Sequence, residues 1–196
     1  MGWFVKALVV DLDRVHGAIG SRNGELVRLV EEMSAEELAD DAELCLVDEE
    51  PTLAQALHFV IMGTTDADDV EERAAEAYEH ICETLCVAEW GNGPYGSDWL
   101  ERSSRGFEQL KIDAINFEQF EFPNSATPWN ELMGDAYYGE WSHEDCVRAV
   151  AQWESATAKQ RSALEPDDLW VVESAIGLAK VAARSPAYGV AGFFHT

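Results

Sequence analysis

Among the 196 residues, the side chains best suited to bind a metal, relay a proton or attack an electrophile are five histidines and four cysteines. His80, Cys82 and Cys86 come nearest to a ligand set. Cys82 and Cys86 would share one face of a helix, whereas His80 and Cys82 diverge by about 200° around its axis. Structural zinc is tetrahedral, and no spacing supplies the ligands that would complete the set. A bridge between Cys82 and Cys86 is also disfavoured, because four helical residues place their Cα atoms roughly 6 Å apart, near the geometric limit. Cys45, Cys82, Cys86 and Cys146 therefore read as thiols, and no metal or other cofactor is expected. Asp66, Asp68 and Asp69 lack the glycine and the closing Glu of a calcium loop. Carboxylates at that place favour a helix start instead. The run Trp90-Gly-Asn-Gly-Pro-Tyr-Gly96 lacks the Gly-Lys-Ser/Thr ending of a phosphate loop, and no Gly-x-Ser-x-Gly elbow occurs. No catalytic residue can be assigned, and the chain reads as a non-enzyme.

Two constellations remain. His58 lies between Leu57 and Phe59 on an apolar helix, where the plainer reading is a core or boundary histidine bonded to a backbone carbonyl. His195 lies at the end of the last strand candidate. A shared polar pocket of His58 and His195 is one expectation, and two separately satisfied structural histidines are the plainer one. The second constellation is aromatic: Trp90, Tyr95, Trp99, Trp129, Tyr137, Tyr138 and Trp141 gather among Gly and Pro. Such side chains on irregular backbone can form a partner hot spot or a ligand cleft, or a satellite core beneath long loops.

Charge narrows the choice. The chain carries 13 basic against 38 acidic residues, a net charge of −25. The excess is concentrated: residues 31–89 hold 19 acids and a single cation, Arg73. Such a surface repels nucleic acid and anionic membrane and attracts a basic protein. Acidity that serves solubility alone is the plainer alternative. No stretch of roughly 18 apolar residues is present, so no membrane-spanning helix is expected. Asp11 and Asp13 interrupt the first apolar run, which is not the layout of a signal peptide. A cytoplasmic location is the expectation.

The elements that must position these residues follow from pattern. Gly2–Leu12 and Ala187–Thr196 are the strongest strand candidates, rich in β-branched and aromatic residues. They are expected to pair, antiparallel, at the centre of a small sheet. Between them helices are predicted at Leu12–Ile19, from Asn23, and at Ala35 to about Cys45 behind a Ser34…Glu37 capping box. Thr52 caps Leu53–Met62, whose Leu53, Ala56, Leu57, Val60 and Ile61 form an apolar stripe that Gly63 ends. Val70–Val87 follows, with Val70, Ala74, Ala77, Tyr78, Ile81 and Leu85 inward. Residues 90–96 read as loop and 104–141 as one short strand with irregular chain; Tyr137–Trp141 is a candidate edge strand. Ser142 caps a helix to about Ala158 with Val147, Val150, Ala151 and Trp153 inward, and Leu169–Ala183 is the last helix.

The opening Phe-Val-Lys-Ala-Leu-Val-Val-Asp-Leu-Asp-Arg-Val, the segment Ala56-Leu-His-Phe-Val-Ile-Met-Gly63 and the ending Gly-Val-Ala-Gly-Phe-Phe-His resemble a bacterial, largely actinobacterial, family of uncharacterised proteins. More distantly they resemble the YfbM-like domain. The resemblance implies an α+β fold and supplies no activity and no catalytic residue. The combined reading is an α+β, predominantly helical single domain over residues 1–196, with an acidic helical segment 24–89 and a loop- and aromatic-rich segment 90–141. Its function reads as an acidic interaction protein, of inhibitor or immunity type, that binds a basic protein partner. The expected contacts are the aromatics above with Asp66, Asp68, Asp69 and Glu72. The alternative is a small-molecule-binding or catalytic domain with a pocket between the sheet and the 90–141 loops.

Overall fold

A computed structural model describes residues 3–48, 50–64, 69–95, 99–120 and 138–195. In chain order the elements are β1 (Trp3–Asp11), α1 (Leu12–Ala18), α2 (Gly24–Met33), α3 (Ala35–Asp48), α4 (Leu53–Met62), a 3-10 turn (Val70–Arg73) and α5 (Ala74–Leu85). They continue with β2 (Ala88–Tyr95), α6 (Trp99–Leu110), a second 3-10 turn (Phe117–Phe120), β3 (Tyr138–Trp141), α7 (His143–Ser155), α8 (Ala158–Arg161), α9 (Pro166–Ala182) and β4 (Tyr188–His195). The fold is α+β and predominantly helical, with one antiparallel sheet of order β2-β1-β4-β3. The terminal strands occupy its centre, as their composition predicts.

The chain divides into two compact units. The first joins the described residues within Met1–Leu12, Cys86–Ser125 and Tyr137–Thr196; the second is formed by those within Asp13–Leu85.

In the first unit the strand period decides who faces the main core. Val5 pairs with Phe194, Ala7 with Gly192 and Val9 with Val190. Val5, Ala7, Val9, Val190 and Phe194 therefore join Trp141 and the inward residues of α9, among them Val172, Ala175 and Ala179. Leu8 and Val10, on the opposite face, are equally buried, which explains why β1 reads as a continuous apolar run rather than an alternating one. Gly139 faces Gly192 across β3 and β4. A Cβ on Gly139 would overlap the Gln119 carbonyl oxygen, and one on Gly192 would overlap the Phe120 ring. The pair forms a bare patch of sheet onto which the second 3-10 turn settles. Phe120 stacks on Trp141 at 4.7 Å between centroids, and the Trp141 indole N–H donates to the Asn116 carbonyl at 3.2 Å.

Helix α6 ends in a Schellman arrangement: the Ile112 N–H bonds the Phe107 carbonyl and the Lys111 N–H bonds that of Glu108. Lys111 occupies the left-handed position at φ +59°, where glycine is usual and a side chain costs about 1–2 kcal/mol. Phe107 and Ile112 are both buried in the same core, the apolar contact that accompanies this cap.

In the second unit the expected stripe Leu53, Ala56, Leu57, Val60 and Ile61 is buried. Thr52 and Gln55 form a capping box, and Gly63 ends α4 at φ +74°. The chain after α1 crosses this helix's end, with the Gly20 and Arg22 N–H groups donating to the Val60 and Ile61 carbonyls at 2.9 Å.

Several expectations need correction. Trp90–Gly96 was expected as a loop, yet Ala88–Tyr95 is strand β2. It lies at the sheet edge, where Gly and Pro are tolerated, and the register slips between Trp3 and Val5, which face Tyr95 and Asn92. That bulge accommodates Gly93 and Pro94 without demanding a ladder hydrogen bond from Pro94. Over 104–141, expected as one short strand with irregular chain, α6 runs to Leu110, Phe117–Phe120 is a 3-10 turn and Tyr138–Trp141 is strand β3, while residues 121–137 lie outside the described residues. The single helix expected over Val70–Val87 is a 3-10 turn followed by α5. Helix α3 starts at Ala35 as expected, with the Ser34 carbonyl accepting from the Leu38 N–H, but the buried Ser34 hydroxyl meets Nδ1 of His80 at 3.0 Å in place of the expected box with Glu37. In α7 the inward face is Cys146, Ala149 and Trp153, while Val147 is 44% exposed.

Ser142 does form the expected capping box, accepting from the Asp145 N–H while Asp145 reaches back to the Ser142 N–H. Ser142→Ala is expected to cost about 1 kcal/mol without altering the fold; urea unfolding checks it, and a loss of several kcal/mol would assign Ser142 a further role.

Candidate functional site

Helix α3 is the strongest departure from ordinary surface design in the second unit. Glu36, Glu37, Asp40 and Glu43 are exposed on it, and no lysine or arginine occurs between Arg28 and Arg73. Glu36 and Asp40 stand at the i,i+4 spacing and Asp40 and Glu43 at i,i+3, where like charges destabilise a helix.

The single cation of the segment is already committed. Arg73 bridges Asp41 at 2.7 Å and Glu76 at 2.6 Å, and donates to the Pro51 carbonyl at 3.0 Å. Burial would lower its pKa, but the hydrogen bonds it donates to Glu76 and Asp41 outweigh that and raise it. Asp41 in turn accepts from the Leu53 N–H at 2.6 Å. Arg73 therefore ties α3, the α3–α4 turn and the start of α5 together. It does not neutralise the outward acids. Burial, with Asp41 adding to it, pushes the neighbouring Cys45 thiol up.

The expected contact residues are spread. Glu72 and Asp69 are exposed, Asp69 at φ +56°. Asp66, Asp68, Trp129 and Tyr137 lie outside the described residues, as do the side chains of Tyr95 and Trp99. Trp90, in the first unit, is half-buried and packs against Phe117 and Trp170 at 5.2 and 6.0 Å between centroids. Tyr138 and Trp141 cannot anchor a partner: they are 2% and 0% exposed. Tyr138 packs on Phe193 at 5.0 Å, and Trp141 fills the core beside Phe120. Trp141 belongs to the main core of the first unit, not to a satellite core beneath loops.

His58 is exposed on α4, which corrects its expected core or boundary placement. The stripe that buries Leu57 and Ile61 leaves position 58 on the helix flank. His195 is also exposed. It is paired with Phe4, itself 49% exposed, on the same sheet face as Phe193. Each histidine belongs to its own unit. His80 is part-buried between Ser34 and Glu83, the latter at 3.3 Å, so it serves the α2–α3 junction. All four cysteines are thiols, and no cluster of three potential metal ligands occurs among the described residues.

Among the exposed apolar residues that the sequence did not mark as candidates are Met33 at 66%, Leu44 at 69% and Trp170 at 44% exposure. Trp170 was legible. With Val171, Val172, Ala175 and Ile176 inward, position 170 falls on the outer flank of α9. Leu44 was less so, because α3 carries too weak an apolar stripe to orient it.

Cys146 is fully buried near the start of α7. Burial, with Asp145 beside it, pushes its thiol up to about 12. An unfolded thiol ionises near its ordinary value, about 8.5. Between those values the unfolded chain has lost a proton that the folded chain keeps. Stability is therefore complete below about 8.5 and falls as pH rises, by up to ~1.4 kcal/mol per unit. Urea unfolding at about pH 8 and about pH 10.5 should show the parent losing ~2–3 kcal/mol more than Cys146→Ala. Equal losses would show that Cys146 ionises without unfolding.

The chain matches a family described as a domain of unknown function (DUF7691) over residues 1–195, and it belongs to that family. No curated protein and no solved structure matches it. No helix among the described residues is long and apolar enough to cross a membrane.

Proposed function

We propose that this DUF7691 chain is an acidic interaction protein of the cytoplasm that binds a basic protein partner, as an inhibitor or immunity protein does. Its kinship with a bacterial, largely actinobacterial, group and the distant YfbM-like likeness belong to the same proposal. The carrying observation is the commitment of Arg73. With that cation bound to Asp41 and Glu76, the exposed Glu36, Glu37, Asp40, Glu43, Glu71 and Glu72 face solvent on a segment otherwise free of positive charge. Clustered acids of this kind steer a cationic partner and raise association rates by ~10–10³-fold, an effect that salt suppresses.

The test is affinity capture with the full chain from the native cell at about 50 mM and about 500 mM salt, followed by identification of the retained proteins. Binding partners of high isoelectric point, retained at low salt and re-binding in purified form with at least a tenfold loss at high salt, support the proposal. Partners that are neutral or acidic, or whose affinity ignores salt, overturn it.

A further inference from the structure

The structure assigns the outer face of α9 around Trp170 as a binding site for an arginine side chain presented by a peptide. It lies in the first unit, needs none of the acids of α3, and stands or falls apart from the reading based on them. Ring contacts and helix period place its parts on one surface. Trp170 is 44% exposed and lies against Trp90, with centroids 6.0 Å apart. Trp90 rests in turn on the buried Phe117 at 5.2 Å. The outer indole is thus backed by a second one seated on the core, and such a pre-set aromatic face loses little freedom on binding. Asp167 and Glu173 flank Trp170 one turn before and one turn after it, on the same side of α9, and both are exposed.

Beside them a buried acceptor is left over. The Asp168 side chain is 1% exposed, and Arg105 donates to its Oδ2 at 3.3 and 3.4 Å, yet its Oδ1 accepts no hydrogen bond. Arg102 Nε stands 3.5 Å from that oxygen, while Arg102 Nη2 donates to Asp167 at 3.0 Å. A buried oxygen without a donor is costly; the bond to Asp167, whose side chain is 81% exposed, contributes little. These features select the ligand. An indole face attracts a cation, arginine more often than lysine, and a guanidinium both stacks on the ring and forks onto a carboxylate. Glu173 enters no ion pair among the described residues. Asp167 becomes available by exchange: the incoming guanidinium takes it, and Arg102 closes on Asp168 Oδ1. A neutral ligand gains nothing from either carboxylate, and an anion is repelled by both.

The experiment uses the full chain with isotope-labelled tryptophan and arginine, and two end-capped probes, Gly-Arg-Gly and its neutral citrulline isostere. Titrations are followed by nuclear magnetic resonance at physiological salt. The arginine peptide is expected to shift the Trp170 and Trp90 indole N–H signals saturably and to bind at least ~fivefold more tightly than the citrulline peptide. Trp170→Leu, which also assigns the signals, should abolish the shift at Trp90. Glu173→Gln, an exposed change that leaves melting unaltered, should weaken the arginine peptide about threefold. The Arg102 Nε–H signal should move with occupancy. Equal binding of the two peptides, an unmoved Trp170 signal, or full affinity in Glu173→Gln overturns the site, and a still Arg102 signal overturns the exchange at Asp168. Either failure leaves the α3 reading standing, since salt-dependent capture tests that separately.

Discussion

Replacing Gly192 by alanine is expected to lower stability by about 3 kcal/mol or more, at or beyond the top of what overpacking usually costs. The new methyl would lie inside the Phe120 ring. That ring cannot easily retreat, because it is stacked on Trp141 and set edge-on to Phe117 at 5.9 Å. Gly139→Ala should be at least as severe: its methyl meets the Gln119 carbonyl and Phe120 Cα, which are backbone and have no rotamer to change. For a chain of this size the loss corresponds to a fall in melting temperature of ~6–12 °C. Gly177→Ala is the control. Gly177 is exposed within α9 and an added Cβ there meets nothing, so alanine should stabilise by ~0.5–1 kcal/mol. A Gly192→Ala protein melting within about 2 °C of the parent would show that the 3-10 turn is free to lift.

That glycine patch also marks the limit of what the sequence discloses. The terminal strands were legible because composition and continuity suffice to name a central strand. The stripe of α4 was legible because its caps and period agree. By contrast, Gly139 and Gly192 lie in strand candidates and carry no sign of the 3-10 turn, some twenty residues before Gly139, that packs upon them. β2 was illegible for a related reason: its Gly-Asn-Gly-Pro run has loop chemistry, and the strand forms because β1 offers a free edge and a bulge relaxes the register. Ser34 kept every sign of a helix cap but was diverted by His80, a residue 46 positions away. For the candidate site, the acidity and Trp90 were visible in the sequence. The exposure of Met33 and Leu44 was not, since an apolar residue on a helix is ordinarily assigned to the core.

Deleting residues 188–196 is expected to abolish cooperative folding. β4 pairs with β1 on one side and with β3 on the other, so its loss strips the ladder from both neighbours at once and leaves backbone groups of a buried strand unsatisfied. Phe193 and Phe194 leave with it, 4% and 5% exposed on opposite faces. Losing one buried Phe side chain alone costs ~3–5 kcal/mol, against a total stability of about 5–15 kcal/mol for a natural domain. β3, four residues long, would have no strand to pair with. Phe194→Ala separates side chain from backbone: it should remain folded or nearly so, with melting lowered by roughly 6–20 °C, because the β1–β4 ladder survives. The truncated chain should show no near-ultraviolet dichroism and no sigmoidal melt. If it instead melts as one transition near the parent temperature, β1 must be held by its other neighbours, and the organising role assigned to the paired termini is wrong.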